Sequence, residues 1–234
     1  MSTITSNLQA VRQQIVHAAQ LADRSFTEIQ LLAVSKNFDA EAVIEAARAG
    51  QRAFGENYVQ EAVDKIARIH AAAPDLKLEW HFIGPIQSNK TRQIAEHFDW
   101  VHSVDRLKIA QRLSEQRPAG MASLNVCLQI NISAEHTKSG IAAEETVQLA
   151  RQIAALPNLR LRGLMAIPEP TANIELQRKS FKQVRELQEE LNAQGFELDT
   201  LSMGMSADLE SAILEGSTLV RIGTAIFGKR NYAQ

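Results

Sequence analysis

Lys36 stands directly after the apolar run Leu31-Leu32-Ala33-Val34 and Ser35. An ammonium leaving a buried strand meets low dielectric on one side. That lowers its pKa and frees the amine as a nucleophile toward carbonyls. A solvated lysine at a strand end fits the same pattern, since most lysines are exposed. Arg221 sits between Val220 and Ile222. A strand arginine flanked by apolar residues faces an interior and needs a partner. A heteroaromatic ligand nitrogen is one candidate partner. An ion pair with Glu56 or another strand-end acid is the other.

Two turns offer a different chemistry. Gly204 and Ser206 precede a helix start, with Ser206 a fitting N-cap, and Gly223 and Thr224 precede a short helical tail. Helix starts carry free N–H groups and partial positive charge, so they bind phosphate. Ordinary turn chemistry uses the same residue types. Asp208, in the first turn, would repel a phosphate unless it points away. His81 either lines a site or is a hydrogen-bonded core histidine. The histidines show no metal-ligand spacing, so no metal is expected. Nucleotide-binding glycine motifs and the G-x-S-x-G elbow are absent.

The elements that position these residues follow from periodicity. Leu8, Val11, Ile15, Ala18 and Ala22 recur at helical spacing. Short apolar strands follow at 29–35, 52–54, 78–83, 100–103, 124–130, 159–165, 200–202 and 219–222. Helical sequence separates them, at 39–50, 57–72, 88–98, 105–116, 143–155, 173–192 and 207–214. Asp39 caps one of these helices, and Asn57 with Gln60 resembles a capping box on the next. Strict alternation implies a parallel sheet, and eight units imply a (β/α)8 TIM barrel with an extra N-terminal helix. A doubly wound open sheet is the alternative. In a barrel the site lies at the C-terminal strand ends, where Lys36 and both turns fall, and phosphate sites recur after strands seven and eight.

Composition narrows the function classes. The 234 residues allow one sizeable core, and a single domain over 1–234 is expected. With 25 basic and 27 acidic side chains the net charge is −2, which argues against a dedicated nucleic-acid binder. Cys127 is alone and lies in an apolar run, so a buried, inert thiol is expected. The N-terminus has no signal-peptide core, and no apolar stretch reaches the roughly 18–20 residues of a membrane span. A cytoplasmic protein without a membrane partner is expected.

The segments LLAVSKNF, FGENYVQE, WHFIGPIQSNK, HSVD, NISAEHTKSG, RGLMAIP, LSMGMSADLE and VRIGTAIFG together resemble the pyridoxal phosphate homeostasis protein family. The resemblance runs over nearly the full chain. It implies an alanine-racemase-like TIM barrel that binds pyridoxal 5′-phosphate (PLP), without the β-rich second domain of the racemases. By that resemblance Lys36 in AVSK forms the Schiff base. Ser206 in GMSADLE and Gly223 and Thr224 in RIGT cradle the phosphate, and Arg221 faces the pyridine nitrogen. Asn57 in GENY and His81 in WHFIG are implied ring-side residues.

The function so implied is intracellular PLP (vitamin B6) homeostasis: a monomeric carrier that buffers the cofactor or delivers it to PLP-requiring apoenzymes. No catalytic residue is assigned. A PLP-dependent amino-acid racemase and a cofactor-free Schiff-base aldolase are the competing readings. Racemisation needs a second acid/base opposite Lys36. In the racemases the partner's second domain supplies it, and here the chain ends shortly after the last strand. Lys138 and Lys229 follow strands five and eight, where a cationic rim would attract anionic PLP. Plain surface lysines are the simpler reading of both.

Overall fold

The computed structural model describes residues 2–132 and 139–228. Eight parallel strands close into a barrel in chain order. They are β1 (Gln30–Val34), β2 (Ala53–Glu56), β3 (Glu79–Phe82), β4 (Trp100–Val104), β5 (Leu124–Ile130), β6 (Leu159–Ala166), β7 (Thr200–Ser202) and β8 (Leu219–Ile222). Closure pairs β8 with β1 and sets Arg221 beside Leu32. The intervening helices are α2 (Ala40–Arg48), α3 (Val59–Ala72), α4 (Thr91–His97), α5 (Leu107–Gln116), α6 (Ala143–Ala154), α7 (Ile174–Ala193) and α8 (Leu209–Leu214). A last turn, α9 (Thr224–Phe227), follows β8.

The extra helix, α1 (Thr3–Leu21), is capped by Ser2, whose side chain accepts from the Thr5 N–H. It buries Leu8, Val11, Ile15, Ala18 and Ala19. Asn7 Nδ2 donates to the Ile226 carbonyl at 2.9 Å, and Arg24 Nη1 donates to the Ile213 and Ser217 carbonyls. These bonds tie the N-terminal segment to the β7–β8 side of the barrel. No described helix is long and apolar enough to cross a membrane.

Three local expectations need correction. Strand two runs on through Gly55 and Glu56, because both continue the pairing with His81 and Phe82. Asn57 and Gln60 form no capping box: α3 starts after Tyr58 without a side-chain cap, and Gln60 donates to Asp64 instead. The helix expected at 88–98 opens as a 3-10 turn, Ser88–Lys90, before α4.

Alternation along each strand divides the core in two. Trp80, Phe82, Leu201, Met203, Val220 and Ile222 belong to the large layer between barrel and helices. Their neighbours His81, Ser202 and Arg221 therefore point into the barrel. The interior holds two small apolar clusters, Leu32–Ala53–Leu219 and Trp100–Cys127–Met165. Barrel interiors are commonly filled by branched aliphatic side chains. Here a line of polar groups passes between the clusters.

Candidate functional site at the strand C-termini

Lys36 emerges two residues beyond β1 and is half-buried. Asn37 follows with φ 65°, so the chain turns sharply at once. Beneath this turn lies a buried ion pair. Lys65 Nζ donates to Glu56 Oε1 at 2.8 Å, to the Ser35 carbonyl at 2.8 Å and to Glu61 Oε1 at 3.1 Å. Ser35 Oγ donates to the same Glu56 oxygen at 2.6 Å. Glu61 also accepts from the Asn37 N–H at 2.7 Å. Burial pushes the Glu56 carboxyl up, and the Lys65 charge opposes that shift. The backbone on both sides of Lys36 is thus held by one charged cluster.

Arg221 is buried, and its guanidinium reaches across the barrel. Nη1 donates to the Ser202 carbonyl and, at 2.7 Å, to Ser202 Oγ. Nη2 donates to the Ala166 carbonyl at 2.9 Å. Among the described residues these bonds use three of its five N–H donors, so two remain for a ligand. Burial lowers its pKa to about 10, with the charges of Asp208 and Cys127 opposing, and it stays a cation at neutral pH. The ion pair with Glu56 weighed from the sequence does not form, because Lys65 occupies that carboxylate.

His81 is fully buried inside the barrel. Its Nδ1 lies 2.9 Å from His102 Nε2, and its Nε2 lies 2.6 Å from Glu79 Oε1. Its ring stacks on Trp100 with centroids 5.4 Å apart. His102 Nδ1 lies 2.7 Å from Ser202 Oγ. Both His81 nitrogens are therefore engaged by protein groups, and His81 reaches Arg221 only through His102 and Ser202. This is the hydrogen-bonded core histidine weighed from the sequence. Burial lowers the pKa of both imidazoles; for His102 the charges of His81 and Arg221 add to the effect.

The two phosphate-type turns sit on neighbouring strands. Ser206 and Thr224 are exposed, and among the described residues neither hydroxyl has a hydrogen-bond partner. Ser206 is not the N-cap. Asp208 closes that turn by accepting from the Met205 N–H at 2.6 Å, and α8 begins after it. The Asp208 carboxylate thus points back into its own turn, where it occupies the Met205 N–H. Gly223 lets the second turn approach β1: a Cβ there would lie 3.2 Å from the Val34 carbonyl oxygen. The β8 turn and the exit of β1 toward Lys36 are in contact.

Asn57 lines a cavity of about 340 Å³ with Ile83, Gln129 and Ile167. Its Oδ1 is buried and has no partner among the described residues. Backbone packing fixes its position, since a Cβ on Gly84 would fall 2.3 Å from the Asn57 carbonyl oxygen. Cys127 is buried, and desolvation pushes its thiol up to about 12, as expected for an inert thiol. Lys138 and Lys229 lie outside the described residues.

Sequence reasoning passed over Lys65, Glu79 and His102. For Lys65 and His102 the available signal was a charged or imidazole side chain at a buried position, as in Trp100-Val-His-Ser-Val104. The arrangement as a whole combines a strand-end amine, a buried cation with donors to spare, and two turns with free hydroxyls.

The alanine racemase N-terminal domain family matches residues 6–231. A pyridoxal phosphate homeostasis protein of Pseudomonas aeruginosa is 62% identical over 232 residues, covering 99% of this chain and 98% of that protein. The chain belongs to the pyridoxal phosphate homeostasis family. The crystallised PipY of Synechococcus elongatus with PLP bound is 38% identical, with TM-score 0.84, over 96% of this chain and all of that one. An alanine racemase of Clostridium difficile has TM-score 0.71 at 15% identity, over 95% of this chain and 57% of the racemase. That likeness shows the fold alone. The racemase-type barrel read from the sequence is the fold of this family member.

Proposed function

We propose that this chain binds PLP as a Schiff base on Lys36. The whole chain acts as one binding unit that buffers the cofactor or delivers it to apoenzymes in the cytoplasm. It does not turn over amino acids at an enzyme-like rate. The observation that carries this reading is the closure of β8 on β1, with Arg221 beside Leu32 and the Gly223 turn against Val34. Closure puts the amine, the spare guanidinium donors and the free hydroxyls at one barrel end. The names of the relatives and the PLP found in PipY support it.

Bound PLP supplies an aldehyde that condenses with a lysine amine to a C=N bond, with release of water. Lys36 provides that amine, and the Lys65 cluster fixes its backbone. Arg221 donates a hydrogen bond to the pyridine nitrogen without readily giving up its proton. Ser206, Gly223 and Thr224 hold the phosphate with two hydroxyls and backbone N–H groups. Asn57 presents its carboxamide to the ring side.

Delivery is tested by mixing the PLP-loaded protein with an apo form of a PLP-dependent enzyme. Recovery of that enzyme's activity, matched by loss of PLP from the carrier, is expected. Retention of PLP together with turnover of added amino acids would replace the carrier reading by an enzyme.

A further inference from the structure

The polar line through the barrel has a fixed direction. The Glu79 side chain is 40% exposed at the N-terminal end of β3, while that of His81 is completely buried. Gln30 Nε2 donates to Glu79 Oε1 at 2.9 Å. From there the contacts run Glu79–His81 at 2.6 Å, His81–His102 at 2.9 Å, His102–Ser202 at 2.7 Å and Ser202–Arg221 at 2.7 Å. The chain crosses from β3 to β4, then over the barrel to β7 and β8. It connects the end opposite the candidate site to the guanidinium at that site.

Each proton position follows from the Glu79 end, and the Arg221 end is compatible with it. An ionised carboxylate only accepts, so His81 Nε2 carries hydrogen. In a neutral imidazole Nδ1 then accepts, so His102 Nε2 carries hydrogen. His102 Nδ1 then accepts in turn, which requires the Ser202 hydroxyl to donate to it. Arginine only donates, so Ser202 must offer Arg221 a lone pair. The two requirements meet at Ser202 without conflict. Every N–H and O–H points from the Arg221 cation toward the Glu79 anion, the orientation that both charges favour.

We propose that Glu79, His81, His102 and Ser202 form a one-directional hydrogen-bond relay, and that Glu79 is a positioning residue for Arg221 acting through it. Glu79 sets the tautomer of both histidines and turns the Ser202 lone pair to Arg221 Nη1. Together with the Ser202 and Ala166 carbonyls, that lone pair holds the guanidinium and aims its remaining donors. The groups facing the two imidazoles are Glu79 and Asp99 at His81, and His81 and Arg221 at His102. The effect on PLP rests on the reading of Arg221 as the pyridine-nitrogen partner; the relay itself does not.

The test therefore has two parts. Imidazole nitrogen NMR of the full chain without PLP, assigned with His81→Gln and His102→Gln, reads both tautomers. Neutral Nε2–H forms at both sites are expected at pH 7. Ser202→Ala should leave both unchanged, because the direction is imposed from Glu79. Glu79→Gln should mix the tautomers at both histidines together, since an amide can donate as well as accept. An Nδ1–H or charged form at either site of the unmodified protein overturns the relay, as does mixing confined to His81. Should Glu79→Gln fail to fold, the unmodified protein and Ser202→Ala still decide the direction.

The second part reads the pyridine nitrogen of bound ¹⁵N-labelled PLP. Glu79→Gln should shift that resonance and weaken PLP by about fivefold, the equivalent of one net hydrogen bond. An unmoved resonance with mixed tautomers overturns the coupling to Arg221. Absence of PLP binding in the unmodified protein would instead refute the proposed function and leave the relay to the first part.

Discussion

The Lys65 ammonium lies 2.8 Å from the Glu56 carboxylate and donates to the carbonyl of Ser35, the residue before Lys36. Their side chains are 4% and 0% exposed. A buried charge left without its partner costs far more than an exposed one. Lys65→Met should lower unfolding free energy by about 3–5 kcal/mol. Adding Glu56→Gln should recover part of that loss, because the stranded carboxylate is gone. Urea unfolding of the single and double variants checks this. A single-variant loss no larger than an exposed pair's, about 1 kcal/mol or less, would contradict it.

The proposed phosphate cradle predicts that the hydroxyls of Ser206 and Thr224 discriminate PLP from pyridoxal, which has no phosphate. Hydrogen bonds to a charged group contribute about 1.5–3 kcal/mol each. Ser206→Ala combined with Thr224→Ala should weaken PLP by at least about tenfold while barely changing pyridoxal. Equal losses for both ligands, read by equilibrium titration, would place the phosphate elsewhere.

Stability should depend on the buried imidazoles. Their folded-state pKa values lie below the ordinary 6.5. The unfolded chain therefore binds more protons as pH falls through that value, and their contribution to stability is present above it and lost below it. Glu56, Asp99 and Asp208, all raised by burial, carry the opposite sign and oppose this trend where they titrate. The melting temperature should fall between pH 7 and pH 5.5. A flat or rising profile across that interval would contradict a net contribution from the buried imidazoles.

Racemisation should be slow or absent. On the proposed reading Arg221, a cation, would hydrogen-bond the pyridine nitrogen without protonating it, which would leave the ring a poor electron sink for a carbanion. Tyr58 is exposed where α3 begins, which does not suit it to oppose Lys36. Solvent-deuterium exchange at the α-carbon of L-alanine, with assay of D-alanine, should show turnover far below the usual enzyme range of about 1–10³ s⁻¹. Rates inside that range would promote the racemase reading.

Local patterns carried much of this in the sequence. Arg221 between Val220 and Ile222 foretold an inward guanidinium, and β–α alternation foretold the barrel with Lys36 at its mouth. What failed was chemistry decided by distance in space. Asn57 and Ser206 satisfy a capping pattern, yet packing against Gly84 and the Asp208 turn decided otherwise. The partner of Glu56 is a helical lysine that no strand-end reading brings forward. The relay joins residues 79, 81, 102, 202 and 221, and only barrel closure sets them in line.

The central claim is one covalent bond at one lysine. Borohydride reduction of the PLP-loaded protein, followed by peptide mass mapping, reads it directly. The adduct is expected on Lys36, with loss of both adduct and long-wavelength absorbance in Lys36→Ala. Full-yield modification of another lysine in the unmodified protein, or an undiminished adduct in Lys36→Ala, would contradict it.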